Sequence, residues 1–162
     1  MERQEAVYRK LEEMGVPYEV RHHEAVFTIE EMEALGLPFQ EDVVKNLFLR
    51  DDKGKEYYLV VLTKDKKSDL KALRHAIGSR PLSFASEERL EMVMGLGKGE
   101  VTPLGILNDR EGRVVVVFDC DLCEKEKVAV HPNDNRATAW LRFRDLVRIV
   151  EENGNRVLYA EV

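Results

Sequence analysis

A mixed α+β domain is what this sequence predicts, on three observations. Short helix and strand patterns are interspersed without the regular βαβ alternation of a doubly wound fold. Residues 43–63, VVKNLFLRDDKGKEYYLVVLT, read as strand, turn, strand around Asp51-Asp52-Lys53-Gly54. The unbroken apolar run from Val114 to Phe118 reads as a strand covered on both faces, as at the centre of a sheet flanked by helices.

The elements follow in order. Val7, Leu11 and Met14 have helical spacing over residues 2–14, and Gly15-Val16-Pro17 stops that helix. Residues 18–23 alternate as a short strand. Thr28 with Glu31 forms a capping box for a helix ending near Gly36-Leu37-Pro38, ahead of the hairpin. Ser68 is the expected N-cap of a helix with Leu70, Leu73 and Ile77 on one face and Gly78 as terminator. Ser86 opens a similar unit closed by Gly95. Beyond it, LGILN at 104–108, RVVVVFD at 113–119 and KVAVHP at 127–132 read as adjacent antiparallel strands. Residues 138–143 add another strand, 144–153 a helix with Leu146, Val147 and Val150 inward, and RVLYA after Gly154 a final strand.

The 162 residues match about one domain, 1–162, large enough to bury a core without disulfide or metal. The composition, 44% hydrophobic and 35% charged, is that of a globular chain, and no apolar run approaches the roughly 18 residues of a membrane span. The charged N-terminal segment has no secretory h-region, so a cytoplasmic protein with reduced cysteines is expected. A net charge of -6 argues against nonspecific coating of nucleic acid, which depends on neutralising phosphates. A local basic cluster stands out against it: Lys64, Lys66, Lys67, Lys71, Arg74 and Arg80. By itself this is as well read as a solvated loop and helix face.

Among the motifs, Gly95-Leu96-Gly97-Lys98-Gly99-Glu100 fits neither the dinucleotide fingerprint nor the P-loop, because it follows a helix and lacks the closing Gly or Ser/Thr. Cys120 and Cys123 form a CxxC without a second cysteine pair, which reads as chance or a reversible thiol pair before it reads as zinc. His22-His23 reads as a surface pair. No nucleophile elbow occurs, so a hydrolase built on this chain uses water. Three stretches look selected for more than packing: Val44-Lys45-Asn46, GEVTPLG at 99–105 and HPNDNRAT at 131–138. Each has a bland alternative in a snorkelling lysine, a Gly-Pro turn or a connecting loop. Together a lysine, glycine-rich N–H donors and a His/Asn/Thr loop can bind a phosphate or ribose and polarise an ester.

At these residues, and at AVFTIEE (25–31), VVKNLFLRD (43–51) and LSFASEERL (82–90), the sequence resembles the aminoacyl-tRNA editing family. That family includes the prolyl-tRNA synthetase insertion domain and free-standing relatives, and the chain is most similar to the alanyl-tRNA(Pro) deacylases among them. The resemblance implies one α+β domain with a mixed, partly barrel-like sheet surrounded by helices. It implies a metal-independent hydrolase without cofactor that removes alanine from mischarged tRNA(Pro) in trans. Lys45 corresponds to the family's essential lysine. Phe27, Thr28, Asn46, Gly99, Thr102, Pro103, Gly105, His131, Asn135 and Thr138 would bind the aminoacyl end. The basic residues gain a role at the acceptor stem: Arg50, Lys64, Lys66, Lys67, Arg74 and Arg80, with Arg50 and Arg80 nearest the first base pairs. The implied partners are the acceptor end of alanyl-tRNA(Pro) and prolyl-tRNA synthetase, with the protein a monomer. A proline site cannot exclude alanine, since a methylene is worth only about 1–3 kcal/mol, so a smaller second sieve is needed. Two other functions stay open on sequence: a cysteinyl-tRNA(Pro) or broader small-residue deacylase, and a noncatalytic tRNA- or amino-acid-binding regulator.

Overall fold

The structure is a computed structural model that describes residues 2–162. Helix α1 (Glu2–Glu13) buries Val7 and Leu11 and leads into β1 (Tyr18–His22). The capping box of α2 (Ile29–Ala34) forms: Thr28 Oγ1 accepts from the Glu31 N–H at 3.1 Å, while the Glu31 carboxylate reaches back to the Phe27 N–H at 2.8 Å. The hairpin is present as β2 (Val44–Asp51) and β3 (Tyr57–Thr63), paired antiparallel with Lys45 opposite Leu62 and Asn46 opposite Val61. Buried Asp51 ties its turn by accepting from the Lys55 and Glu56 N–H groups.

Helices α3 (Leu70–Ile77) and α4 (Glu87–Met94) end at Gly78 and Gly95, both at positive φ, where a side chain would be strained. Ser86 caps α4 as expected, but Asp69 rather than Ser68 caps α3, its carboxylate accepting from the Ala72 N–H at 3.0 Å. Between them lies β4 (Leu82–Phe84), three residues that carry too little alternation to be recognised in sequence. The LGILN stretch is not a strand. Residues Pro103–Asn108 form a 3-10 helix capped by Thr102, because proline at the first helical position and a threonine before it specify a helix start that outweighs the apolar run.

The last elements are β5 (Val114–Asp119), a 3-10 turn (Cys120–Glu124), β6 (Lys127–Val130), β7 (Ala137–Arg142), α5 (Phe143–Glu152) and β8 (Val157–Ala160). The expected antiparallel neighbours separate into two sheets. Strand β5 pairs parallel with β3 and β8 in a five-stranded sheet of order β4-β2-β3-β5-β8, whereas β6 belongs to an antiparallel sheet of order β1-β7-β6. Among the described residues an isolated parallel bridge, Val43 to Ala129, links the two sheets.

Strand alternation distributes the core. Val44, Phe48, Leu59, Val61, Val116 and Phe118 pack on one side of the larger sheet with α1, α4 and α5; Leu47, Leu49, Val60, Leu62 and Val117 pack on the other with Leu73 of α3. All of β5 is buried, as its continuous apolar run requires. A third cluster, Val26, Met32, Val43, Ala129 and Trp140, fills the space under α2 beside the inter-sheet bridge. No helix among the described residues is long and apolar enough to cross a membrane.

Candidate functional site

The inter-sheet bridge places the start of β2, the end of β6 and the segment entering α2 around one cleft of about 250 Å³. Its lining includes Phe27, Thr28, Lys45, Asn46, Gly99, His131 and Thr138, drawn from five separate parts of the chain. Apolar Ile29, Met32, Val43, Val101 and Ala129 complete the wall.

Lys45 lies on the β2 face of Leu47 and Leu49, and its Nζ donates to the Lys66 carbonyl at 3.2 Å. That carbonyl is itself fixed. The Lys66 ammonium contacts fully buried Asp119 and also Asp121, each at 2.7 Å, and Asp119 further accepts from the Thr63 and Asp121 N–H groups. Burial works to lower the Lys66 pKa, but its hydrogen bonds to the two carboxylates outweigh this and hold it above the ordinary lysine value. Asn46, on the opposite face with Val44 and Phe48, has its Oδ1 buried without a hydrogen-bond partner among the described residues. A buried acceptor in that condition costs about 1–3 kcal/mol.

His131 enters the cleft from the end of β6. Its Nδ1 is 2.9 Å from the Ala137 carbonyl, which can only accept, so the proton sits on Nδ1 and Nε2 carries the lone pair in the neutral ring. Desolvation pushes the His131 pKa down; the Ala137 bond opposes this, and neighbouring His23 adds to the lowering. Thr102, fully buried, donates its hydroxyl to the His131 carbonyl at 2.6 Å. Arg136 forks onto Asp134 at 3.0 and 2.7 Å, which holds that carboxyl well below its usual range, and Asn133 takes a positive φ of 60° to turn the loop. Gly99 allows the closest approach: a Cβ there would come within 2.7 Å of the Phe27 ring, and its φ is +78°.

Several expected contacts lie elsewhere. Thr102, Pro103 and Gly105 belong to the buried 3-10 helix behind the cleft, where a Cβ on Gly105 would meet Leu96 and Met94 at 2.6 and 2.7 Å. Asn135 is buried in the loop, its carbonyl accepting from the Val26 N–H. Of the basic residues, Lys66 holds Asp119, Lys64 pairs with Glu33 of α2 at 3.3 Å, and Arg80 forks onto Asp52 at 2.6 and 3.0 Å. The Arg50 guanidinium donates to the Asp51 and Asp52 carbonyls. Lys67 lines a separate apolar cavity under α3, and Arg74 lies on α3 itself. Cys120 and Cys123 are free thiols on the 3-10 turn after β5, and desolvation first, then Cys120 and Asp119, push the Cys123 thiol up. Among the described residues no cluster of three His, Cys, Asp or Glu side chains is arranged for a metal. His23, expected at the surface from the sequence, backs the cleft: its Nε2 is 2.8 Å from Oγ1 of the lining residue Thr138.

A model of the aminoacyl-tRNA editing domain matches residues 23–149, which spans every part of this cleft. The chain belongs to the aminoacyl-tRNA editing domain family. It is 52% identical over 155 residues to the prolyl-tRNA editing protein ProX of Acetoanaerobium sticklandii, covering 96% of this chain and 94% of that protein. It is 35% identical to the prolyl-tRNA synthetase associated domain-containing protein 1 of Bos taurus, covering 93% and 90%. The editing-domain fold is shared with the crystal structure of hypothetical protein APE2540, at a TM-score of 0.74 and 21% identity over 95% of this chain and 97% of that one.

Proposed function

We propose that this chain is a trans-editing aminoacyl-tRNA deacylase whose substrate is alanyl-tRNA(Pro). The observation that carries the proposal is the meeting of Lys45, Asn46, His131 and Thr138 in a small cleft of the aminoacyl-tRNA editing domain, in a chain 52% identical over almost its whole length to a prolyl-tRNA editing protein.

In this reading, water attacks the ester carbonyl, the bond to the ribose oxygen breaks, and the water's proton ends on that oxygen, releasing alanine and tRNA. The Lys45 ammonium, held by a neutral carbonyl rather than a carboxylate, keeps its charge for the substrate and offsets the negative charge that develops. Gly99 and Val101 bring backbone to the cleft for the oxyanion. The substrate's neighbouring ribose hydroxyl helps to orient the water. In this reading the sieve is steric, with the apolar Met32, Val43 and Ala129 side of the cleft receiving the alanine methyl group. The chain acts as a single domain and a monomer in the cytoplasm, serving the same tRNA as prolyl-tRNA synthetase.

The test is hydrolysis of alanyl-, cysteinyl- and prolyl-tRNA(Pro) by the wild type and Lys45→Ala. Loss of the alanyl ester alone, reduced at least about 100-fold in the variant, is expected. Preference for the cysteinyl ester would move the protein to a different specificity, and tRNA binding without turnover of any ester would make it a noncatalytic module.

A further inference from the structure

The cleft wall contains a hydrogen-bond relay that the reaction above does not use. His23 follows β1, where its N–H donates to the Arg136 carbonyl at 2.9 Å and so continues the pairing of β1 with β7. This brings the ring against Thr138, which is 1% exposed and lines the cleft. His23 Nδ1 is 2.7 Å from the Glu24 carbonyl and Nε2 is 2.8 Å from Thr138 Oγ1. A carbonyl only accepts, so in the neutral ring Nδ1 carries the proton and Nε2 must receive one. Thr138 has a single hydroxyl proton. The other acceptor within reach is Met32 Sδ at 3.7 Å, a thioether and a weak acceptor, so the proton goes to His23.

The consequence is directional. With its proton committed to His23, Thr138 Oγ1 offers the cleft only lone pairs. His131, whose ring centroid lies 6.2 Å from that of His23, offers a second acceptor in Nε2 because its Nδ1 donates to the Ala137 carbonyl, while Lys45 supplies the charged donor of the lining. Two such acceptors on the His23 side of the cleft suit a ligand group that only donates, and an ammonium is such a group.

We infer that His23 is a positioning residue that holds Thr138 as an acceptor for the α-ammonium of the bound aminoacyl ester. This rests on the deacylase reading and adds to it how the amino group, as distinct from the side-chain methyl, is recognised. Because the ammonium is present in both ground and transition states, the relay acts on KM more than on kcat.

The experiment compares wild type, His23→Ala and His23→Gln on alanyl-tRNA(Pro) and on propionyl-tRNA(Pro), which keeps the acyl chain and lacks the ammonium. Removing His23 is expected to raise KM for the alanyl ester about ten-fold, the scale of one charged hydrogen bond, with kcat within about two-fold. The propionyl ester should be hydrolysed equally by wild type and His23→Ala. Glutamine can place an acceptor near the Nε2 position and should restore most of the alanyl KM. Equal losses on both esters would mean that His23 merely supports the fold, and no loss on either would mean that Thr138 needs no orienting; each overturns the inference. A wild type inactive on both esters would instead bring down the deacylase reading, and the inference with it.

Discussion

Replacing Thr102 with valine removes one hydroxyl from a fully buried place and tests what holds the His131 loop. The hydroxyl donates to the His131 carbonyl at 2.6 Å and accepts from the Leu104 N–H at 3.4 Å. The second bond is at the outer limit of ordinary geometry and contributes little. The first leaves a buried carbonyl without its partner, a loss of about 1–3 kcal/mol. Valine recovers part of this through its extra apolar surface, so a net destabilisation of roughly 1 kcal/mol is expected, or about 2–4 °C in Tm for a chain of this size. Urea unfolding monitored with Trp140 should show a lower midpoint with an unchanged m-value, and Thr102→Ser should retain most of the stability by keeping the hydroxyl. In activity, the displaced loop should lower kcat/KM for every ester by the same factor. A variant within about 0.5 kcal/mol of wild type that nonetheless loses ten-fold in kcat/KM would refute this reasoning and place Thr102 on the substrate.

Three further perturbations address other parts of the molecule. The folded His131 pKa lies below its unfolded value because the ring is desolvated. As pH falls through about 6.5, the unfolded chain therefore takes up the proton first, and stability present above that pH is lost. Denaturant unfolding between pH 8 and 5 should show a steeper decline for wild type than for His131→Asn, and parallel curves would contradict the assignment. Asp52→Asn removes the carboxylate that engages Arg80. If that arginine meets acceptor-stem phosphate, tRNA affinity should rise several-fold and the salt slope steepen by about one phosphate, and a filter-binding titration showing neither would exclude Arg80 from the interface. Gly99→Ala sets a Cβ against Phe27 at a positive φ, so a cost of about 1–2 kcal/mol and a marked fall in kcat/KM are expected; unchanged kinetics would mean that the backbone at 99 takes no part.

The parts of the fold visible in sequence are those written in local chemistry. The Thr28–Glu31 box, Ser86 and the glycines at 78 and 95 mark helix ends because cap bonds span three or four residues. The hairpin is equally local. The parts that the sequence hides depend on partners far along the chain: the parallel alignment of β5 with β3 and β8 leaves no sign in RVVVVFD beyond burial on both faces. LGILN differs in kind, since Thr102-Pro103 specifies a helix start locally and the apolar run beside it mimics a strand. For the cleft, residue types point to Val44-Lys45-Asn46, the 99–105 stretch and the 131–138 loop, and the family resemblance extends these to Phe27 and Thr28. Neither source could point to His23, because only the pairing of β1 with β7 brings it to a residue 115 positions away.

The lysine among the apolar residues of β2 shows why a cleft-lining residue can look anomalous in sequence and still sit comfortably in the fold. A carboxylate partner would have satisfied Lys45 but neutralised it. The chain instead places the carboxylates one residue away in the relay: Asp119 and Asp121 grip the Lys66 side chain, and Lys66 offers Lys45 only its carbonyl. Among the described residues Lys45 makes no ion pair, so its charge is positioned without being cancelled. The buried acid thus serves the cleft from behind it. Asp119→Asn should consequently disturb Lys45 through Lys66 even though Asp119 is not in the cleft lining, lowering kcat/KM while the Lys45→Ala background shows no further loss in activity. A double-mutant cycle measures this directly. Additive losses from the two substitutions would show that Asp119 supports the fold alone, whereas full non-additivity would trace the lysine's position to the Lys66 carbonyl.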